Sequence, residues 1–144
     1  MKKYALSTTL ILFLFLTACG QTKDNRQTIP DTITEKQQTM DLSKITDVAV
    51  RQAIEALQAG DQKWYTFFTE HPMMTDDGNP VNFRSFFANA LGKEIFLSID
   101  RVENDGKNIY GNFKAGQWGT FPVFFKFHKN EEGKFERLDI GQDK

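Results

Sequence analysis

The chain contains one cysteine, Cys19, so no disulfide bond can form within it. Small secreted domains often depend on disulfides because their hydrophobic cores are too small to hold the fold alone. A domain in this chain must therefore be stabilised by its own core. Sixteen aromatic residues lie between Trp64 and Phe135, and a packed aromatic side chain buries about 150 to 250 Å². The sequence thus predicts an aromatic core without cross-links.

Cys19 ends the sequence Leu16-Thr17-Ala18-Cys19, which follows a segment typical of secretory signals. Met1-Lys2-Lys3 is cationic, and the apolar run after it is shorter than the roughly 20 residues that a membrane-spanning helix needs. The motif resembles the lipobox of bacterial lipoproteins. This resemblance implies a signal peptide over residues 1–18 and a diacylglycerol on the Cys19 thiol, often with palmitate on its amine. The alternative is a small buried cysteine in an apolar helix, which the polar residues that follow disfavour.

The residue after Cys19 bears on location. In lipoproteins of double-membraned bacteria, an aspartate at this position favours retention in the inner membrane, and this chain has Gly20. The resemblance therefore implies a cell-envelope protein held in the membrane by acyl chains on Cys19. In a Gram-negative host we expect it in the outer membrane, facing the periplasm.

Residues 19–40 are polar and contain no aromatic side chain. They predict a flexible tether with a reach of about 25 Å; the alternative is an extended arm in which Ile29 and Ile33 dock on the domain. Residues 41–144 have the length of one domain. The formal net charge is −1 and the basic residues are not clustered, so we expect no nucleic acid partner.

Capping residues at the start and glycine or proline near the end predict three helices in the first half of the domain. They are Asp41 or Ser43 to Gly60, Asp61 to about Glu70, and Asn79-Pro80 to Gly92. Apolar residues spaced three and four apart give each helix one buried face.

The second half shows period-two patterns that predict four strands, at residues 95–99, 108–115, 121–127 and 134–140. In the first strand we expect Leu97 to face the core together with Ile95 and Ile99. Pro122 has no N–H to donate, so its strand should be an edge, bulged, or only beginning there. The order of elements predicts an α+β fold with three N-terminal helices packed on a curved four-stranded antiparallel meander.

Two stretches carry a second resemblance. The junction Ala56-Leu57-Gln58-Ala59-Gly60-Asp61 before an aromatic helix, and the late turn Gly133-Lys134-Phe135, resemble the nuclear transport factor two-like superfamily. The similarity spans about residues 41–141. It implies a cystatin-like cone, in which helices close one side of a bent sheet around a pocket. Some members use the pocket for isomerase or dehydratase chemistry, and many use the fold only for binding or for dimer contacts.

Enzymes of that superfamily place an acid, a histidine or a tyrosine inside the cone. The catalytic candidates of this chain are Asp100, His128, Tyr65 and Tyr110. None matches a catalytic motif, and alternation along the strands directs Asp100 and His128 away from the inward face. A buried Asp100 with a raised pKa would reverse this interpretation.

Two further segments offer binding chemistry. His71, Met73 and Met74 are soft donors and therefore candidate ligands of a copper ion. No second donor cluster accompanies them, so the sequence predicts no metal and no cofactor. Trp118 lies in a predicted bend between Gly116 and Gly119, where an exposed tryptophan is a candidate contact residue. The alternative is that its ring plugs the open end of the cone.

The absence of a coherent catalytic set favours a non-catalytic lipoprotein whose domain binds an envelope protein or a small apolar ligand. A small isomerase or dehydratase is the first alternative, which a pocket with two converging ionisable groups would favour. The second is an immunity or exclusion lipoprotein that neutralises a toxin or a competitor. The resemblance also permits a homodimer formed through the open face of the sheet.

Overall fold

The computed structural model describes residues 40–144. The predicted signal peptide, Cys19 and all of the predicted tether except Met40 lie outside the described residues. Met40 packs against the hydrophobic core. In the described part of the chain, no helix combines the length and the apolar composition that crossing a bilayer requires.

The first α-helix, α1, spans Val48–Ala59. The Asp47 side chain caps it by accepting a backbone N–H of the first turn at 3.0 Å. Gly60, in the left-handed conformation at φ 67°, ends it as predicted. The predicted cap at Asp41 or Ser43 is wrong, because the Asp41 side chain accepts the Ser43 N–H at 2.9 Å and forms a local turn before the helix.

A 3-10 helix, Gln62–Phe67, follows α1, and its cap is Asp61 as predicted. The predicted α-helix over residues 62–70 is wrong, because the chain is already extended in strand β1, Phe68–Asp76. Phe68 is 5% exposed and β1 pairs in parallel with the last strand of the chain. Burial against this distant strand overrides the local helical pattern.

A turn at Asp77-Gly78, where both residues have positive φ, leads into strand β2, Asn79–Pro80. The predicted helix start at Asn79-Pro80 is therefore wrong, since both residues pair with β1. The second α-helix, α2, spans Phe83–Ala90. Asn82 caps it by accepting the Ser85 N–H at 2.9 Å.

Five further strands complete the sheet, and a second 3-10 helix, Gly116–Trp118, lies between two of them. These strands are β3 (Ile95–Phe96), β4 (Arg101–Glu103), β5 (Asn108–Lys114), β6 (Thr120–Lys129) and β7 (Phe135–Gln142). The strand order is β2-β1-β7-β6-β5-β3, with β4 also paired to β5. The pair β1 and β7 is parallel, and the other pairs are antiparallel.

The predicted α+β class with a curved sheet is confirmed. The predicted details are wrong in two respects. The sheet is mixed because β1 joins it in parallel, so it is not a four-stranded antiparallel meander. Residues 40–144 contain two α-helices and two 3-10 helices instead of three α-helices.

The prediction that Leu97 faces the core is wrong. Phe96 is 1% exposed, whereas Leu97 is 52% exposed. The N–H groups of Leu97 and Ser98 both donate to the Asn112 carbonyl, at 2.7 and 3.4 Å. This irregularity interrupts the alternation of side chains, as a bulge does, and Ile99 returns to the core at 4% exposure.

Pro122 is the third residue of β6, at the point where the ladder between β6 and β7 stops at Val123. Its missing N–H therefore costs no hydrogen bond in that ladder. The Pro122 carbonyl accepts the Asp143 N–H at 2.9 Å, which holds the end of the chain against the strand.

The core lies between the helices and one face of the sheet, here called the inner face, which carries Phe125, Phe127 and Leu138. Trp64 is fully buried, and its ring centroid lies 4.7 Å from that of Phe87 and 4.9 Å from that of Phe68. The predicted aromatic core is confirmed. The opposite, outer face carries polar side chains such as His128 and Asp139.

Candidate functional site

A cavity of about 460 Å³ lies between α2 and the inner face of the sheet. Helix α2 lines it with Ser85, Phe86, Asn89 and Ala90. The sheet and its loops line it with Asp76, Asp77, Glu94, Phe113, Ala115, Trp118, Phe121, Val123, Phe125, Ile140, Gly141 and Gln142. Six different segments of the chain therefore converge on one space.

The apolar wall of the cavity follows from the register of the sheet. Phe113 of β5 lies opposite Phe121 of β6, and Phe125 of β6 lies opposite Ile140 of β7. Residues directly opposite each other in an antiparallel pair share a face, so these side chains form one continuous surface. Phe86 of α2 faces it from the other side.

Two carboxyl groups reach this cavity from separate segments. Asp76 is the last residue of β1 and lies opposite Ile140 of β7, whereas Glu94 lies in the link between α2 and β3. Burial raises the pKa of Asp76, and the charge of Asp77 raises it further. Burial also raises the pKa of Glu94, and the charge of Asp76 adds to that shift. The charge of Asp76 therefore acts on the carboxyl of Glu94.

Asp76 and Glu94 form no hydrogen bond and no ion pair with any side chain among residues 40–144. Asp77 differs, because its Oδ1 accepts the Gln142 N–H at 2.8 Å and fixes the turn to the end of β7. The cavity thus contains two half-buried acids that are free to interact with a ligand. Such groups can accept hydrogen bonds, neutralise a cation or exchange a proton.

The four catalytic candidates do not line this cavity. Asp100 is exposed on the outer face, where its Oδ2 accepts a hydrogen bond from the Asn112 amide at 3.3 Å. His128 is also on the outer face, with its Nε2 2.8 Å from Asp139 Oδ2. These two positions agree with the strand alternation, and neither residue belongs to the site.

The two tyrosines are placed by packing. Tyr65 is half-buried, with its ring edge-on to Phe83 and 5.3 Å from the Arg84 guanidinium carbon. Tyr110 is 8% exposed. The Arg101 guanidinium carbon lies over the Tyr110 ring, 3.8 Å from the ring centroid. The structure therefore keeps all four candidates out of the cavity, although the backbone N–H of Asp100 donates to the Tyr110 carbonyl at 2.8 Å.

The three soft metal donors are separated by the alternation of β1. Met74 is 3% exposed and belongs to the core, whereas Met73 is 61% exposed. His71 is exposed beside Glu70, with a side-chain separation of 3.8 Å. Across the described residues, no group of three or more His, Cys, Asp or Glu side chains is arranged to hold a metal ion.

Trp118 lines the cavity and is 75% exposed. Its ring therefore stands at the mouth and leaves the interior unfilled. The sequence singled out Trp118 but missed Asp76 and Glu94. Asp76 shares the inward face of β1 with Met74. The alternation of side chains along a strand predicts this position, but only if residues 68–76 are first recognised as a strand.

The sequence matches no known protein-family model and no curated protein. Its structure is similar to a protein from Sphaerobacter thermophilus, with a TM-score of 0.53, 12% identity and coverage of 67% of this chain and 94% of the other. It is similar to an Anabaena Orange Carotenoid Protein binding canthaxanthin, with a TM-score of 0.55, 16% identity and coverage of 74% of this chain and 40% of the other.

A third similar structure is a Silicibacter pomeroyi DSS-3 protein with a cystatin-like fold, at a TM-score of 0.50 and 14% identity, covering 70% of this chain and 77% of the other. Identities this low establish likeness of fold alone. The predicted resemblance is confirmed at that level: the chain has a fold of the cystatin-like, nuclear transport factor two-like kind.

Proposed function

We propose that this protein is a bacterial envelope lipoprotein, anchored by acyl chains on Cys19, whose domain binds a small ligand with an apolar body in the cavity beneath α2. The observation that carries the binding proposal is the cavity itself. Its volume of about 460 Å³ falls within the roughly 300 to 1,000 Å³ typical of small-molecule sites. The resemblance of residues 16–19 to a lipobox supports the anchoring proposal.

The shape of the wall favours binding of an apolar body. Phe113 and Phe125 belong to the core and are 6% and 1% exposed, so their rings are held in place by the packing behind them. A preformed wall lowers the ordering cost of binding. The ligand gains by covering the rings of Phe86 and Phe121, which are only half-buried.

Binding can be tested with Nile red, a neutral dye whose fluorescence rises in apolar surroundings. We expect the dye to bind the purified domain, and Val123→Trp to abolish binding by filling the cavity that Val123 lines. The matched control is Val48→Trp on α1, where Val48 is 55% exposed. No binding by the unaltered protein, or equal binding by the two variants, would overturn the proposal.

Anchoring can be tested by expressing the full chain in bacteria fed an alkyne analogue of palmitate. The unaltered protein should be labelled and should partition into the detergent phase, and Cys19→Ser should do neither. An unlabelled product that retains Met1 would contradict the anchoring proposal and leave the binding proposal standing.

A second candidate function is proton-transfer chemistry of the isomerase or dehydratase type. The observation that favours it is the pair Asp76 and Glu94, because a carboxyl with a raised pKa exchanges protons closer to neutral pH. Incubation with a panel of carbonyl compounds in heavy water, followed by NMR, tests it. Deuterium incorporation beside a carbonyl that Asp76→Asn abolishes would support this candidate, and its absence across the panel would remove it.

A further inference from the structure

The inner cavity carries charge of one sign. Three carboxyl groups line it, those of Asp76, Asp77 and Glu94, and no lysine, arginine or histidine is among the lining residues. A ligand with a negative group would face repulsion from every ionised side chain of the wall. A ligand with a positive group would meet attraction from each of them.

Other half-buried acids of the domain already have cationic partners. Asp47 contacts the Lys129 ammonium at 2.6 Å, and Asp139 contacts the Arg137 guanidinium at 2.8 Å. Acids that are removed from water are normally paired in this way. Among residues 40–144, the half-buried Asp76 and Glu94 depart from this pattern, because neither forms an ion pair. A cation from outside the chain would complete the arrangement.

The aromatic rings of the cavity suit the same kind of group. Cations are attracted to the faces of aromatic rings, most strongly to tryptophan. Trp118 stands at the mouth, and Phe86, Phe113 and Phe121 line the interior. Aromatic rings surround alkylated ammonium groups where proteins bind them, and nearby carboxylates add attraction between opposite charges.

We propose that the cavity selects organic cations, namely small molecules in which an amine or quaternary ammonium group is attached to an apolar body. The ammonium group would lie between Asp76 and Glu94, and the apolar body would cover the phenylalanine wall. This inference rests on the proposed function, since it names the class of ligand that the same cavity takes.

Three probes with one aromatic body and different head groups test the inference by titration calorimetry on the intact protein: naphthylmethyl-trimethylammonium, naphthylmethanol and naphthylacetate. We expect the cation to bind at least about tenfold more tightly than the alcohol, and naphthylacetate to bind most weakly. Equal binding of the cation and the alcohol would overturn the inference and leave the proposed function intact. Binding of none of the three probes would overturn both.

Substitutions of the two half-buried carboxyl residues test whether they are the groups that attract the cation. Asp76→Asn and Glu94→Gln should each remove most of the preference for the cation over the alcohol, measured as the ratio of the two affinities for the same variant. The control is Glu55→Gln, at an exposed position of α1. It should change neither the affinity for the cation nor the affinity for the alcohol. A preference for the cation that survives both cavity substitutions would overturn the assignment. Circular dichroism spectra of each variant confirm that it is folded.

The pH dependence provides a second readout. Asp76, Asp77 and Glu94 are the ionisable groups that line the cavity, and a cation should bind only when the carboxyls are ionised. Affinity for the ammonium probe should therefore fall as the pH is lowered from neutral into the acid range, and affinity for naphthylmethanol should not. Parallel pH profiles for the two probes would contradict the inference.

Discussion

The side-chain amide of Gln58 pairs with the backbone of Phe96. Its Nε2 donates to the Phe96 carbonyl at 2.9 Å, and its Oε1 accepts the Phe96 N–H at 2.8 Å. In this way α1 supplies the hydrogen bonds that a further strand would give to the free edge of β3. The Phe96 ring is thereby held 4.9 Å from Phe113 and 4.9 Å from Phe125, two rings of the cavity wall.

Gln58→Ala should lower the free energy of unfolding by about 1 to 3 kcal/mol, because two backbone groups of a buried residue lose their partners. The measurement is chemical denaturation followed by circular dichroism. Gln52→Ala, at an exposed position of the same helix, is the control and should stay within about 0.5 kcal/mol. If Gln58→Ala lowered the free energy of unfolding no more than Gln52→Ala does, water would have to hydrogen-bond to the Phe96 backbone in place of the Gln58 amide.

Gly92 and Gly60 are in close backbone contact, and a Cβ on Gly92 would lie 2.7 Å from the Gly60 Cα. Gly92→Ala should therefore destabilise the domain more than Gly133→Ala does. Both glycines have positive φ, at 74° and 80°, but a Cβ on Gly133 would meet no atom within 4 Å.

The two substitutions share the strain of the left-handed conformation, about 1 kcal/mol, and the difference between them isolates the steric clash. Thermal melts of the two variants measure it. Equal melting temperatures would show that the link between α2 and β3 moves freely away from α1.

Trp118→Ala should leave the melting temperature within about 2 °C of the unaltered protein, because the side chain is 75% exposed. It should weaken ligand binding by about tenfold if the ring covers a bound ligand, as tryptophans at binding sites do. Leu97→Ala removes another exposed apolar side chain, outside the cavity, and should affect neither quantity. A large loss of stability in Trp118→Ala would instead identify the ring as a plug.

Glu94→Gln should raise the melting temperature by a few degrees near pH 7. Because the pKa of Glu94 is raised in the folded state, the folded protein binds a proton on the Glu94 carboxyl more tightly than the unfolded chain does. The stability that this tighter proton binding adds is fully present at pH values below the pKa of Glu94 in the unfolded chain. It is lost as the pH rises through the pKa of Glu94 in the folded protein. The gain should therefore vanish at about pH 3. Glu55→Gln should show no such dependence, and a gain independent of pH would contradict this account.

Asp139→Asn should have the opposite sign and lower the melting temperature near pH 7. Burial of the Asp139 carboxyl acts to raise its pKa, but hydrogen bonds from Arg137, Thr75 and His128 outweigh burial and lower it. The stability that they add is present above the unfolded pKa and is lost as the pH falls through the lower, folded pKa. Thermal melts should show a lower melting temperature of Asp139→Asn than of the unaltered protein at neutral pH, and no difference at about pH 2. A loss of the same size at both would point to packing instead of charge.

Local signals in the sequence predicted local features. The predictions for Gly60 and Asp61 are confirmed, because a left-handed C-terminus and a side-chain cap depend on a few neighbouring residues. The predicted cap at Asn79 is wrong because Asn79 pairs with β1, and Asn82 caps the helix instead. That choice depends on tertiary structure and leaves no trace in the local pattern.

The features that the sequence did not reveal depend on distant partners. Residues 68–76 become a strand because β7 lies beside them in parallel, and this pairing joins segments about sixty residues apart. The candidate site has the same property. Asp76 and Glu94 carry no motif, and they meet only after α2 has folded across the sheet.

The parallel pairing of β1 with β7 also sets the order in which the molecule can be assembled. Asp76 lies opposite Ile140, so one wall of the cavity is missing until the final strand has docked. Pairings of such long sequence separation form late and slowly. A nascent chain therefore has no complete cavity until Phe135–Gln142 has been synthesised, and any molecule that binds only the complete cavity would favour this last pairing.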